Sequence, residues 1–304
     1  MHFVQKSVKI YDMKRLFLPI FVFLLLVGST NLLGAYELEA IVGVDGFTFD
    51  PYKSWAYTEP GTEEEFTSFK FCLVNLIFRH NISETLNWSV NIERDNVLQN
   101  SITALFGAKT DYFNVKFGPF LGFIDDIAIP DAGIIGNLEL YLPGIVFLSI
   151  SGSSTLGSQY EFTSNTYRET AGIKLGFWME GAIPSLSANI KFLSRHMDGF
   201  IVEDTLFKYL FSMDLFAKNQ TISGSIDLGY QIYKKVYKKG GSEYCDELSS
   251  LLMGIGINWQ VMRQLCIKAG FEIPFFVSAI DPMTNEQKPI FLSKIFVGAI
   301  YTIK

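Results

Sequence analysis

The stretch Thr221–Lys235, TISGSIDLGYQIYKK, decides the fold. Its even positions carry Ile222, Gly224, Ile226, Leu228, Tyr230 and Ile232, while Thr221, Ser223, Ser225, Asp227 and Gln231 occupy odd ones. Apolar and polar residues alternate with a period of two. That is the repeat of a β-strand showing one face to an apolar medium and the other to water.

The pattern recurs on both sides of this stretch. In 205–217, Phe207, Tyr209, Phe211, Met213 and Leu215 oppose Lys208, Ser212 and Asp214. In 265–277, Leu265, Ile267, Ala269, Phe271, Ile273, Phe275 and Val277 oppose Cys266, Lys268, Gly270 and Glu272. Extended along the chain, the alternation predicts strands over 36–48, 66–80, 83–96, 99–108, 111–124, 131–142, 144–153, 166–181, 183–197, 202–218, 220–237, 246–261, 264–279 and 289–303. Many exceed the roughly 5–6 residues usual in soluble sheets and reach the roughly 9–11 that a tilted strand needs to cross a bilayer.

Connections sort into two kinds. Tight turns are expected at His80-Asn81, Thr110-Asp111, Pro143-Gly144, 181–184, 218–220 and Arg263-Gln264. Longer polar loops are expected at 49–65, 125–130, 154–165, 198–201, 238–245 and 280–288. Tight turns at one rim and longer loops at the other mark a transmembrane barrel. A lipid-exposed sheet must also close on itself, because only closure satisfies every backbone N–H and C=O. The expected fold is therefore all-β, a closed antiparallel transmembrane β-barrel of about 14 strands, within a range of 12 to 16.

Composition agrees. Hydrophobic residues make up 49% of the 304 residues and charged residues 18%, below the roughly 25% charged of soluble domains. At the N-terminus Met13, Lys14 and Arg15 precede the apolar run LFLPIFVFLLLVGS at 16–29, and small residues follow as far as Gly34 and Ala35. A basic start, a short apolar run and a small-residue exit are the signature of a secretory signal peptide. Residues 1–35 are thus expected to be an N-terminal extension and cleaved signal, and 36–304 the barrel. The first 35 residues hold Lys6, Lys9, Lys14 and Arg15 against Asp12, so the chain's net −6 becomes −9 without them. So acidic a chain lacks the clustered cations that nucleic acid requires.

Parity assigns the lumen side. The residues expected to line a pore are Asn91, Glu93, Lys116, Glu139, Lys174, Lys191, Lys208, Asp227, Lys268 and Glu272, with both signs interspersed. Eight strands leave an interior filled by side chains and sixteen leave a water channel, so fourteen predict a narrow pore. Leu193, Phe276 and Phe296 also fall on the inner face. No G-x-S-x-G, H-E-x-x-H, P-loop or paired-Cys motif is present, and no enzyme activity, metal or cofactor is expected. His196 beside Asp198 and His80 in a tight turn are the histidines of the mature chain, and Lys234, Lys235, Lys238 and Lys239 flank Gly240-Gly241 at an expected external loop. Tyr141, Trp178, Trp259 and Tyr301 sit near expected strand ends, where an aromatic girdle belongs.

By strand length, parity and loop asymmetry, residues 36–304 resemble the bacterial outer-membrane β-barrel superfamily, in a porin-like form. The chain departs from that pattern in finishing Tyr301-Thr302-Ile303-Lys304 rather than on an aromatic residue. The resemblance implies a bacterial outer-membrane location, a lipid bilayer and the outer-membrane insertion machinery as partners, and small solutes as cargo. The leading functional expectation is a porin-like channel for small hydrophilic solutes. A non-conducting barrel that binds a host or envelope partner through its loops, and a transporter of hydrophobic compounds, are the alternatives.

Overall fold

A computed structural model of the protein describes residues 36–47, 72–95, 97–124, 127–156, 165–197, 200–216, 221–279 and 293–303. They form fourteen antiparallel strands in one closed barrel. The first seven are β1 (Tyr36–Phe47), β2 (Cys72–Asn81), β3 (Leu86–Asp95), β4 (Gln99–Lys109), β5 (Phe113–Ile124), β6 (Ile127–Leu142) and β7 (Val146–Thr155). The rest are β8 (Asn165–Phe177), β9 (Ala182–Met197), β10 (Phe200–Leu215), β11 (Ile222–Lys239), β12 (Ser242–Met262), β13 (Leu265–Ala279) and β14 (Ser293–Ile303). Each corresponds to one segment expected from alternation. The expected signal segment 1–35 lies outside the described residues, as do 66–71 of the expected second strand.

Every strand pairs with its sequence neighbours, and β1 pairs with β14 from Tyr36↔Ile303 to Asp45↔Lys294, which closes the ring. Residues directly opposite in a ladder share a face, so one face can be followed around the barrel. Leu38 lies between Phe78 and Tyr301, Phe106 opposite Phe117, and Ile150 between Leu138 and Ile173. This outer face is apolar and uncovered, with Phe117 65% and Phe106 58% exposed. Water would not tolerate so continuous an apolar wall on a monomer. A bilayer makes the same surface favourable.

The connections differ from the expected alternation of tight and long. In place of a loop at 238–245, β11 and β12 meet in a two-residue turn through Gly240 and Gly241, whose φ angles are 56° and 84°. Left-handed φ at both central positions belongs to the primed turns whose twist matches that of paired strands, so the hairpin continues through the expected loop. Only residues 125–126 separate β5 from β6, and only 198–199 separate β9 from β10. The remaining long connections, 48–71, 157–164 and 280–292, lie outside the described residues. The wall is consequently uneven in height: β11 and β12 run to 18 and 21 residues, while β2 and β3 have 10.

The ladder between β4 and β5 is locally interrupted. Pairs between β4 and β5 run from Asn100↔Phe123 to Thr103↔Phe120 and resume at Phe106↔Phe117. Pro119, which has no N–H to give, falls in the gap. At its neighbour Gly118 the strands approach so closely that a Cβ would run into the Ala104 carbonyl oxygen.

The two faces of one strand should respond oppositely to charge. Ile150→Arg, on the outer face of β7, is expected to destabilise the folded barrel by ~2–4 kcal/mol, whereas Ser151→Arg on its inner face costs much less. Urea titration in vesicles measures both.

Candidate functional site

The inner face carries the chemistry. Following the ladders inward, all ten residues assigned by parity lie on the lumen side: Asn91 and Glu93 on β3, Lys116 on β5, Glu139 on β6 and Lys174 on β8 share inner-face pairs. Lys191 on β9, Lys208 on β10, Asp227 on β11 and Lys268 and Glu272 on β13 continue the same face. They are brought together in two groups. Asn91, Glu93, Lys191, Lys208 and Glu272 line a lumen cavity of about 440 Å³. Lys116, Glu139, Lys174, Asp227 and Lys268 lie nearer the rim that carries Tyr36 and Ile303, outside that cavity.

Most inner charges are paired, and the partners are largely residues that alternation alone did not single out. Lys268 donates to Glu39 at 2.7 Å, and Arg79 donates to Glu39 at 2.8 Å and also bonds Glu37. Arg168 bridges β8 to Asp131 on β6 with Nε–Oδ2 at 3.1 Å and Nη2–Oδ1 at 3.3 Å, both side chains almost fully enclosed. Arg195 meets Asp204 at 2.5 Å, and the Tyr233 hydroxyl donates to the same carboxylate at 2.6 Å. Lys208 pairs with Glu272, three strands away in the ring. Charges removed from bulk water need such partners.

One pair differs in reach. Lys191 Nζ on β9 lies 2.7 Å from Asp95 Oδ2 at the end of β3, and these strands stand six places apart in a ring of fourteen. A round fourteen-stranded barrel would be about 28 Å across its backbone. Extended Lys and Asp side chains joined by one bond reach only about 12 Å between Cα atoms. The walls therefore come together here. The β3–β4 turn supplies the approach: Asp95 Oδ1 accepts from the amides of Val97 at 2.7 Å and Leu98 at 2.6 Å, and Val97, only 6% exposed, lines the lumen cavity with Leu98. The turn leans into the lumen, and Asp95 both shapes it and bridges to the far wall.

Several inner polar atoms have no protein partner, among them Asn75 Oδ1, Asn91 Oδ1, Gln231 Nε2 and Ser250 Oγ. In so polar a lumen these groups call for water or solute.

Other expectations are relocated by the structure. Lys238 and Lys239 sit on β11 with Lys234 and Lys235 rather than in a loop, so alternation divides the four: Lys238 faces outward and pairs with Glu203 at 2.9 Å, while Lys235 lies 5.3 Å over the Tyr237 ring on the inner face. His80 is in β2, not in a turn, and faces outward, stacked on Tyr36 at 4.5 Å with Trp88 at 6.0 Å. His196 packs edge-on against Tyr167 at 5.4 Å, and Asp198 lies outside the described residues. Trp259 and Tyr301 are on the outer face as expected. Tyr141 is not, because its parity turns it inward to bond Glu139. Of the apolar residues expected inside, Leu193 is completely enclosed and so presents no surface to a ligand. The side chain of Phe276 lies outside the described residues.

Among known proteins, no family model and no curated sequence matches the chain. Solved structures do. A Pseudomonas aeruginosa FadL homologue is 9% identical with a TM-score of 0.47, covering 88% of this chain and 88% of its own. An outer membrane channel from Pseudomonas putida F1 is 10% identical with a TM-score of 0.44, covering 90% and 97%. An anion-selective porin from Comamonas acidovorans is 8% identical with a TM-score of 0.40, covering 88% and 98%. The molecule is a transmembrane β-barrel. Its own wall carries that statement: an even number of antiparallel strands, a closed seam, an apolar exterior and a charged interior.

The cross-lumen pair should show energetic coupling. In a cycle of Asp95→Asn, Lys191→Met and the double variant, the coupling is expected at ~1–3 kcal/mol. Lys116→Met, which removes no ion pair among the described residues, is expected to cost less than either single variant. Denaturant titration of each refolded barrel reads all four.

Proposed function

We propose that this barrel is a constricted, porin-like channel that passes small hydrophilic solutes across the outer membrane. The observation that carries the reading is the cross-lumen pair of Asp95 and Lys191 set in a polar lining. Charged residues continue on the inner face from Glu37 and Arg79 near one rim to Arg195 and Asp204 well along the wall. A lumen filled by packed side chains leaves no free space between its walls, whereas a cavity of about 440 Å³ remains beside this pair. Asp95 and Lys191 instead narrow a passage that polar groups line on either side, so solute size and charge are selected at the pair. Asn91, Glu93, Lys116, Glu139, Lys174, Lys191, Lys208, Asp227, Lys268 and Glu272 are proposed as pore-lining residues. The lipid bilayer surrounds the wall, and the outer-membrane insertion machinery is proposed to place it there.

Planar-bilayer recording tests the channel. The natural protein is expected to give small conductance steps, and Asp95→Asn combined with Lys191→Met to raise them at least ~2-fold by removing the constriction. The double variant avoids leaving one buried charge alone, and heat-modifiable gel migration confirms its barrel. Silence of both proteins at every voltage would sink the channel.

A further inference from the structure

The ion pairs around the lumen cavity do not use all its charges. On the β3 side, Asp95 is neutralised by Lys191, but Glu93 one inner position away has no ion-pair or hydrogen-bond partner among the described residues. On β13, four places from β3 in the ring, Glu272 is taken by Lys208 and stands opposite Lys294 on β14, which is itself opposite Asp45 on β1. The Lys294 ammonium lies 5.6 Å from the Phe296 ring and within ion-pair distance of no carboxylate among the described residues. Glu93 and Lys294 both line the same 440 Å³ cavity, a volume in the range of small-molecule sites. Among the described side chains, this leaves an unpaired carboxylate on β3 and an unpaired ammonium on β14, three places away in the ring. Asn91 Oδ1 and Gln231 Nε2, both enclosed and unpartnered, also line this space.

We propose that this cavity is a binding site for a small zwitterion, a solute carrying one ammonium and one carboxylate, such as a short peptide. The inference rests on reading the barrel as a solute channel and names the class of solute held at its constriction. Glu93 takes the ammonium and Lys294 the carboxylate. A charge held in an enclosed lumen without a partner is unfavourable, so a zwitterion relieves both ends at once. A singly charged solute relieves one, and a neutral solute neither.

Calorimetry on the full chain, extracted from membranes in detergent, tests this with four probes of similar size. They are glycylglycine, the anion N-acetylglycine, the cation glycinamide and the neutral N-acetylglycinamide. Glycylglycine is expected to bind about tenfold or more tightly than each of the others. Glu93→Gln should abolish its advantage over N-acetylglycine, and Lys294→Met its advantage over glycinamide. A barrel that was merely damaged would not give this reciprocal pattern, and gel mobility before and after heating verifies folding. Equal binding of all four probes, or variants that leave the preference intact, would overturn the site. Bilayer recordings on the same preparation separate the two readings. Current without zwitterion preference overturns the site alone. Preference with silence at every voltage supports the site and overturns the channel.

Discussion

The hydrogen-bonded seam between β1 and β14 is the constraint on which everything else in the molecule depends. In a bilayer no water reaches an unpaired strand edge, so an open sheet would leave two rows of N–H and C=O groups unsatisfied. Closing the seam removes both edges and, at the same stroke, fixes parity. Tyr36 opposite Ile303 keeps Leu38 and Val42 on the lipid side and Glu37 and Glu39 inside. A slip of one residue would send those two carboxylates into lipid and the leucine and valine into the lumen. The large penalty for that exchange makes the register unambiguous.

Once parity is set, the interior has a problem of its own. More than a dozen charged groups are drawn into a space between the filled core of an eight-stranded barrel and the open channel of a sixteen-stranded one. Local partners absorb several of them: Arg79 with Glu37 and Glu39 on adjoining strands, and Arg168 with Asp131 across one strand. Lys191 instead reaches Asp95 on the opposite wall. That contact requires the β3–β4 turn to lean inward, and the short β3 and β4, facing the tall β9 to β12 across the ring, put the turn at the right level to do so. The contact between these two walls is therefore made by two polar side chains and a turn, not by a plug of apolar residues.

A polar constriction has consequences for selection. An apolar gate excludes every ion by refusing to hydrate it, whereas a salt bridge leaves its neighbours free to meet charge with charge. Glu93 and Lys294 keep their charge to offer because Asp95 and Glu272 are already engaged by Lys191 and Lys208. The paired residues shape the lumen, and the unpaired ones are proposed to set what it prefers.

By itself the sequence determined the strand count, the approximate strand bounds and the side on which each lumen residue lies, because the side-chain period of a strand is local and survives without knowledge of its partners. It was less informative at strand ends. Gly240-Gly241 reads equally well as a loop or as a primed turn, and only the pairing of Lys239 with Ser242 shows the hairpin continuing, which moved Lys238 and Lys239 from a loop onto the two faces of a strand. The same blindness placed His80 in a turn and Tyr141 outside. Glu39, Arg79 and Arg168 could have been found by extending the alternation into β1, β2 and β8. The meeting of Asp95 with Lys191 could not. They stand 96 residues apart on strands that never touch, and what joins them is the curvature of a closed wall and the inward lean of one turn. Both are properties of the assembled barrel, with no counterpart in any single segment of the chain.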